Sequence, residues 1–116
     1  MQKNLLKNIA TLMIYVKKRA TNDLVKLVII LMNNKKFPLT RDEAKEYVDM
    51  IVAEFPFIEK SIVRTKSSYD HHIKHGQYVW RYDKHDCIQW FIIYDMDKYE
   101  NIIIKKIISN NKTKKK

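Results

Sequence analysis

The chain has little of what breaks or crosslinks a fold: one glycine, two prolines and one cysteine among 116 residues. Scarce glycine and proline leave no flexible linker, so we expect a single domain over residues 1–110. The lone Cys87 excludes an internal disulfide and a cysteine-based metal cluster. These absences favour the reducing setting of the cytoplasm, and we expect no cofactor.

Long hydrophobic runs are also missing. The longest, residues 27–32, is far shorter than the roughly 18 residues that cross a bilayer, so we expect no membrane partner. The first residues mix Lys and Asn with apolar side chains and lack a small-residue cleavage site. The sequence therefore does not predict a secretory signal.

Acidic residues are scarce as well, because 23 Lys and Arg stand against 13 Asp and Glu, giving a net charge of +10. Within residues 1–40 only Asp23 is acidic. The basic tail, residues 111–116, is expected to be disordered and to add non-specific affinity for phosphates. This excess predicts a polyanionic partner, namely RNA, DNA, an anionic membrane or an acidic protein. A basic protein without such a partner is the alternative.

What the chain does contain is concentrated in its last third. Aromatic and β-branched residues fill three segments, 78–82, 87–96 and 102–108, which two polar breaks separate. This pattern predicts three consecutive antiparallel strands, a meander. The short apolar run at residues 11–16 fits either a buried strand or the middle of a long helix.

Two amphipathic helices are predicted before the meander. Apolar residues recur at helical spacing over residues 20–33. A second helix starts at Thr40, whose capping box includes Glu43, and extends to Phe55, where Pro56 ends it. We therefore predict an α+β fold, with two N-terminal helices packed on a mostly antiparallel sheet. The first strand would either join that sheet at an edge or pair with a distant strand.

The pattern between the second helix and the meander is weaker. Residues 58–63 fit a short turn or strand, and residues 65–74 read as a polar loop.

Three segments together resemble a known protein family. They are MIYVKKRATNDLVKL (residues 13–27), TRDEAKEYVDMIVAEFP (40–56) and IQWFIIYDMDKYENIIIKKIIS (88–109). Their order and spacing resemble the RelE/ParE superfamily of toxins in type II toxin–antitoxin pairs: a strand leading into a first helix, a second helix ending in Phe-Pro, and a terminal hairpin. The resemblance spans most of the chain.

The resemblance implies two possible activities. RelE-like members bind the ribosomal A site and cut mRNA there without a metal, whereas ParE-like members inhibit DNA gyrase. Both kinds are neutralised by an antitoxin, here expected to be acidic. The chain departs from the RelE pattern where Phe91, not Arg, follows Trp90, and where Ser109-Asn110-Asn111 replaces a basic or His residue. A nuclease of this type would need cations from elsewhere.

Metal-free RNA cleavage requires a base, cations that stabilise the charged phosphorane and an acid for the leaving oxygen. The predicted catalytic residues are Arg81, His85, Lys84 and His75. The predicted RNA-binding residues are Lys17, Lys18, Arg19, Lys74, Tyr82, Lys105 and Lys106.

Other interpretations of these residues remain open. The histidines could be solvated surface residues, and Asp83 could form a surface ion pair with Arg81. His71, His72 and His75 have metal-like spacing, but no neighbouring Cys or Glu completes a site, so we expect no metal. An unrelated basic α+β protein that shares only the periodicity is a further alternative.

Overall fold

The computed structural model describes residues 14–83 and 88–109. Its elements are, in chain order, β1 (Ile14–Val16), α1 (Lys18–Met32), α2 (Arg41–Val52), α3 (Phe55–Lys60), α4 (Asp70–Ile73), β2 (Tyr78–Asp83), β3 (Gln89–Met96) and β4 (Ile102–Ser109). The predicted catalytic residues Lys84 and His85, the predicted strand start at Cys87, residues 11–13 and the tail at residues 111–116 lie outside the described residues.

The four strands form one sheet in the order β1-β4-β3-β2. β2, β3 and β4 are antiparallel neighbours, which confirms the predicted meander. β1 pairs in parallel with β4, with Ile14 opposite Ile102. The described part of the first apolar run is therefore a strand at the sheet edge, which agrees with the edge position predicted for it.

α1 and α2 cover one side of this sheet, which we call the helix face. Ala20 of α1 and Ile51 of α2 belong to the same buried cluster as Ile92 of β3 and Ile104 of β4. The α+β fold, with helices packed on a mostly antiparallel sheet, is confirmed.

The capping box predicted at Thr40 is present. The Thr40 hydroxyl accepts a hydrogen bond from the Glu43 backbone N–H at 3.2 Å. The Glu43 carboxylate accepts one from the Thr40 N–H at 2.9 Å. Together these bonds satisfy two backbone donors that a helix start leaves without a partner, so the local sequence fixes where α2 begins.

The predicted end of this helix was wrong. α2 stops at Val52, and Pro56 lies in the first turn of α3 instead of ending α2. Proline suits a first turn because that position needs no backbone donor. Burial of Phe55 and Ile58 fixes the new helix on the core. The turn or strand predicted at 58–63 is thus partly helix.

The predicted polar loop at residues 65–74 was also wrong in part, since it contains α4. Its first residues run beside β2: the Val79 N–H donates to the Thr65 carbonyl oxygen at 2.9 Å, and the Ser67 N–H to the Gln77 carbonyl oxygen at 2.8 Å. We call residues 69–76, which contain three of the four histidines, the histidine cap.

Candidate functional site

We call the side of the sheet opposite α1 and α2 the second face. It carries two rows of side chains, which include the predicted site residues Arg81 and Lys106. Directly opposed residues of antiparallel strands point to the same side. Arg81, Phe91 and Ile108 form one such row, and Val79, Ile93 and Lys106 form the next.

The intervening residues point the other way. The Trp90 indole N–H donates to the Tyr47 hydroxyl of α2 at 3.2 Å. The Trp80 indole N–H donates to the Glu54 carboxylate at 2.9 Å. These bonds place the intervening residues on the helix face and leave Arg81 and Lys106 on the second face.

The histidine cap is attached to the second face through His72. This side chain is only 1% exposed, and its ring centroid lies 4.8 Å from that of Phe91. Burial, reinforced by the nearby His71 and His75, lowers the pKa of His72 below the ordinary 6.5. A neutral imidazole therefore packs on the sheet as an aromatic ring, and its role in the described structure is to hold the cap in place.

Close packing at Gly76 supports the same attachment. A Cβ atom added at Gly76 would lie 2.8 Å from Ile93 Cγ2 and 3.2 Å from the Tyr94 carbonyl oxygen. No side chain fits that gap without movement of the sheet or the cap. The only glycine of the chain thus allows the end of the cap to approach β3.

Three predicted site residues act electrostatically on a fourth, His75. Burial lowers the pKa of this imidazole, and the positive charges of Lys106, Lys74 and Arg19 lower it further, while Asp23 opposes them. These three cations come from β4, from the residue after α4 and from the first turn of α1. The fold therefore brings Arg19 and Lys106, which are distant in sequence, close enough to act electrostatically on His75 together with the adjacent Lys74.

Asp23 fixes part of this arrangement. One carboxylate oxygen accepts a hydrogen bond from Lys106 Nζ at 2.9 Å, and the other accepts one from the Ile107 backbone N–H at 3.0 Å. The pair ties α1 to the part of β4 beyond its pairing with β1. The sequence showed Asp23 only as the single acidic residue within residues 1–40 and did not predict these bonds.

Arg81 stands apart from this group. Its Nε lies 3.3 Å from Asp83 Oδ1, and both side chains are more than half exposed. The predicted surface ion pair is therefore present. Arg81 is not among the charges that lower the pKa of His75, although both residues lie on the second face or its cap.

The remaining predicted residues are dispersed. Tyr82 packs against the core from the helix face, so it does not share the side of Arg81. Lys105 Nζ lies 3.4 Å from Asp95 Oδ2. Lys17 and Lys18 are exposed at the start of α1.

A residue that the sequence did not single out is Tyr69, the first of the histidine cap. Its ring is stacked on His71 at 5.7 Å between centroids and meets His72 edge-on at 5.3 Å. Tyr69 is nevertheless 59% exposed. The sequence offered one signal for Tyr69, an aromatic residue close before His71 and His72. The helical pattern of this segment is too weak to predict where that ring lies.

A groove of about 500 Å³ lies between α1 and the end of β4. Apolar side chains from α1 and the sheet contribute much of its lining: Leu27, Ile30, Leu31, Ile88, Trp90, Ile107 and Ile108. Ile30, which lines the groove, and Val25 and Ile29 of the same helix are each more than half exposed. This is an apolar surface on an otherwise highly charged protein.

Neither a metal site nor a membrane span is found within residues 14–83 and 88–109. No group of three or more His, Cys, Asp or Glu side chains is arranged to hold a metal ion there. None of the helices in that part of the chain combines the length and apolar character needed to cross a bilayer.

Comparison with known proteins gives no relative from which to assign a function. No protein-family model, curated protein or solved structure matches the chain.

Proposed function

We propose that this protein is the toxin of a type II toxin–antitoxin pair and acts in the cytoplasm as a RelE-like, metal-independent endonuclease on ribosome-bound mRNA. The observation that carries the proposal is the environment of His75, whose pKa is lowered by burial and by the positive charges of Lys106, Lys74 and Arg19. A neutral base beside several cations is the combination that RNA cleavage at a phosphate requires.

In the proposed reaction His75 takes the proton of a ribose 2′-hydroxyl. Because Nδ1 of His75 is buried, Nε2 is the atom that would accept this proton. The 2′-oxygen then forms a bond to the adjacent phosphorus, and the bond from phosphorus to the 5′-oxygen breaks. Arg19, Lys74 and Lys106 stabilise the added negative charge on the phosphorane.

The leaving 5′-oxygen must gain a proton. His85 and Lys84, which the sequence predicts as catalytic residues, are the candidates for this step, and Arg81 remains a predicted phosphate ligand on the second face. Their part in the reaction is a prediction from sequence.

The proposed antitoxin would neutralise the toxin through α1. Exposed Val25, Ile29 and Ile30 and the neighbouring groove offer an apolar surface of the kind that protein partners cover. The net charge of +10 favours an acidic partner.

A second candidate function is ParE-like inhibition of DNA gyrase without catalysis. Two observations favour it: Phe91 occupies the place where the RelE pattern has Arg, and Arg81 is engaged by Asp83. In this case the basic surface would bind without cleaving.

Induced expression in bacteria separates the two candidates. We expect growth arrest with mRNA cut at ribosome-bound positions, mapped by primer extension, and loss of both effects in His75→Ala and Lys106→Ala. Lys60→Ala is a matched control, because Lys60 is exposed at the end of α3 and is not among the charges that lower the pKa of His75. Arrest with intact mRNA and inhibited supercoiling would indicate gyrase, and absence of arrest would rule out a toxin.

A further inference from the structure

We propose that Tyr69 is a stacking platform for an unpaired nucleobase of single-stranded RNA. The inference rests on the proposed RNA-binding function and adds a base contact to a site so far made of phosphate ligands. Aromatic side chains bind single-stranded nucleic acid in this way because every base presents a flat π surface to stack on.

The first reason is that the Tyr69 ring is both exposed and held in place. His71 stacks against it at an angle of 29°, and His72 meets it edge-on. His72 is itself buried on Phe91. The ring is thereby connected through two imidazoles to the sheet, so binding a base costs less side-chain ordering than it would at a mobile tyrosine.

The second reason is the position of Tyr69 relative to the cations. Tyr69 precedes α4, and Lys74 and His75 directly follow it, so the one-turn helix joins the exposed ring to the basic group. Asp70 lies between them in the first turn of α4. A nucleotide carries its flat base and its charged phosphate side by side, and the cap offers a partner for each.

The chain supplies a matched control in Tyr99. This tyrosine lies in the turn between β3 and β4, is 68% exposed and has Lys98 Nζ at 5.2 Å from its ring centroid. Tyr99 thus shares the residue type, the exposure and a neighbouring lysine, but it is outside the histidine cap.

The test is the dissociation constant for a fluorescein-labelled single-stranded RNA of mixed sequence, measured by anisotropy at fixed salt. We expect Tyr69→Ala to weaken binding about tenfold, within the range known for loss of one stacked base. Tyr69→Trp should retain binding, Tyr69→Leu should lose it, and Tyr99→Ala should change it less than about twofold. Circular dichroism and thermal unfolding would show that each variant remains folded.

An RNA of the same length with abasic sites completes the experiment. Wild-type protein should bind it more weakly, and Tyr69→Ala should then cause no further loss, because the two changes remove the same contact. Equal affinities of wild type and Tyr69→Ala for the intact RNA would overturn the platform while leaving RNA binding standing. Failure of the wild type to bind either RNA would also overturn the platform, whereas the proposed action on ribosome-bound mRNA would still be decided by the expression experiment.

Discussion

The two faces of the sheet use alternate residues of the same strands for different purposes. On the helix face, Ile92, Tyr94 and Ile104 are almost fully buried against α1, α2 and α3. On the second face, Arg81 and Lys106 extend beside a short cap of histidines. The helix face therefore has the composition of a core, whereas the second face combines buried Ile93 with charges and imidazoles that a core would not tolerate without partners.

This difference between the faces predicts which substitutions change the stability of the fold and which change RNA binding. Substitutions on the helix face should change the free energy of unfolding most, and substitution of the exposed Arg81 on the second face should change binding with little effect on the fold. Lys106 is the exception, because its bond to Asp23 also ties α1 to β4.

The largest expected effect is on the helix face. Ile92→Ala should lower the free energy of unfolding by about 2–5 kcal/mol, because Ile92 is fully buried and the cavity left behind relaxes only partly. Urea denaturation measures this loss. Ile62→Ala is the control, since Ile62 is 94% exposed and should change stability by less than about 0.5 kcal/mol. Equal losses in the two variants would contradict the assigned core.

The next effect tests how the cap is held on the second face. Gly76→Ala should cost about 1–3 kcal/mol, because the new methyl group would overlap Ile93 Cγ2. It should also weaken RNA binding, since the cap carries His75 and Lys74. Gln77→Ala is the neighbouring control, because the exposed Gln77 donates its backbone N–H to Asp95 and keeps that bond as alanine. Unchanged stability of Gly76→Ala would show that the cap does not pack closely on β3.

A smaller loss of stability is expected from a substitution at the start of α2. Thr40→Ala should lower stability by about 1 kcal/mol, since one half of the capping box is lost. Thr21→Ala provides the comparison, because Thr21 lies within α1, where alanine is the better helix former. A thermal unfolding midpoint that falls for Thr40→Ala and not for Thr21→Ala would confirm the cap, and equal midpoints would contradict it.

The smallest expected change in the free energy of unfolding at neutral pH comes from His72. This change grows as the pH falls. Its pKa is lowered in the folded protein, so below the ordinary value of 6.5 the unfolded chain binds the proton more readily. Stability should therefore fall as the pH drops below 6.5. His72→Phe keeps a flat ring against Phe91 and removes this titration, so it should lose less stability between pH 7 and the acid range. Parallel pH curves for wild type and variant would contradict the buried, neutral imidazole.

Local signals in the sequence predicted most of the fold. Segments rich in aromatic and β-branched residues, separated by polar breaks, marked the three meander strands, and the capping box marked the first turn of α2. The end of α2 was predicted wrongly from Pro56, because proline is found both after the end of a helix and in the first turn of the next one. Only tertiary burial of Phe55 and Ile58 decides between these outcomes.

The site was harder to predict because it is assembled from distant segments. Lys74 and His75 are neighbours in the chain, but no spacing in the sequence brings Arg19 and Lys106 to them. Asp23 shows why: its bonds to Lys106 and Ile107 join positions more than eighty residues apart. For Tyr69 the sequence offered only an aromatic residue close before His71 and His72, because its position depends on how the histidine cap packs on Phe91.

The most direct test of the second face as the RNA-binding surface is a map of backbone amide chemical shifts during titration with single-stranded RNA. We expect the largest changes at His75, Lys106 and Arg81, and none at Met50, which is exposed on α2. Changes centred on α2, with the second face and the histidine cap unaffected, would contradict the assignment.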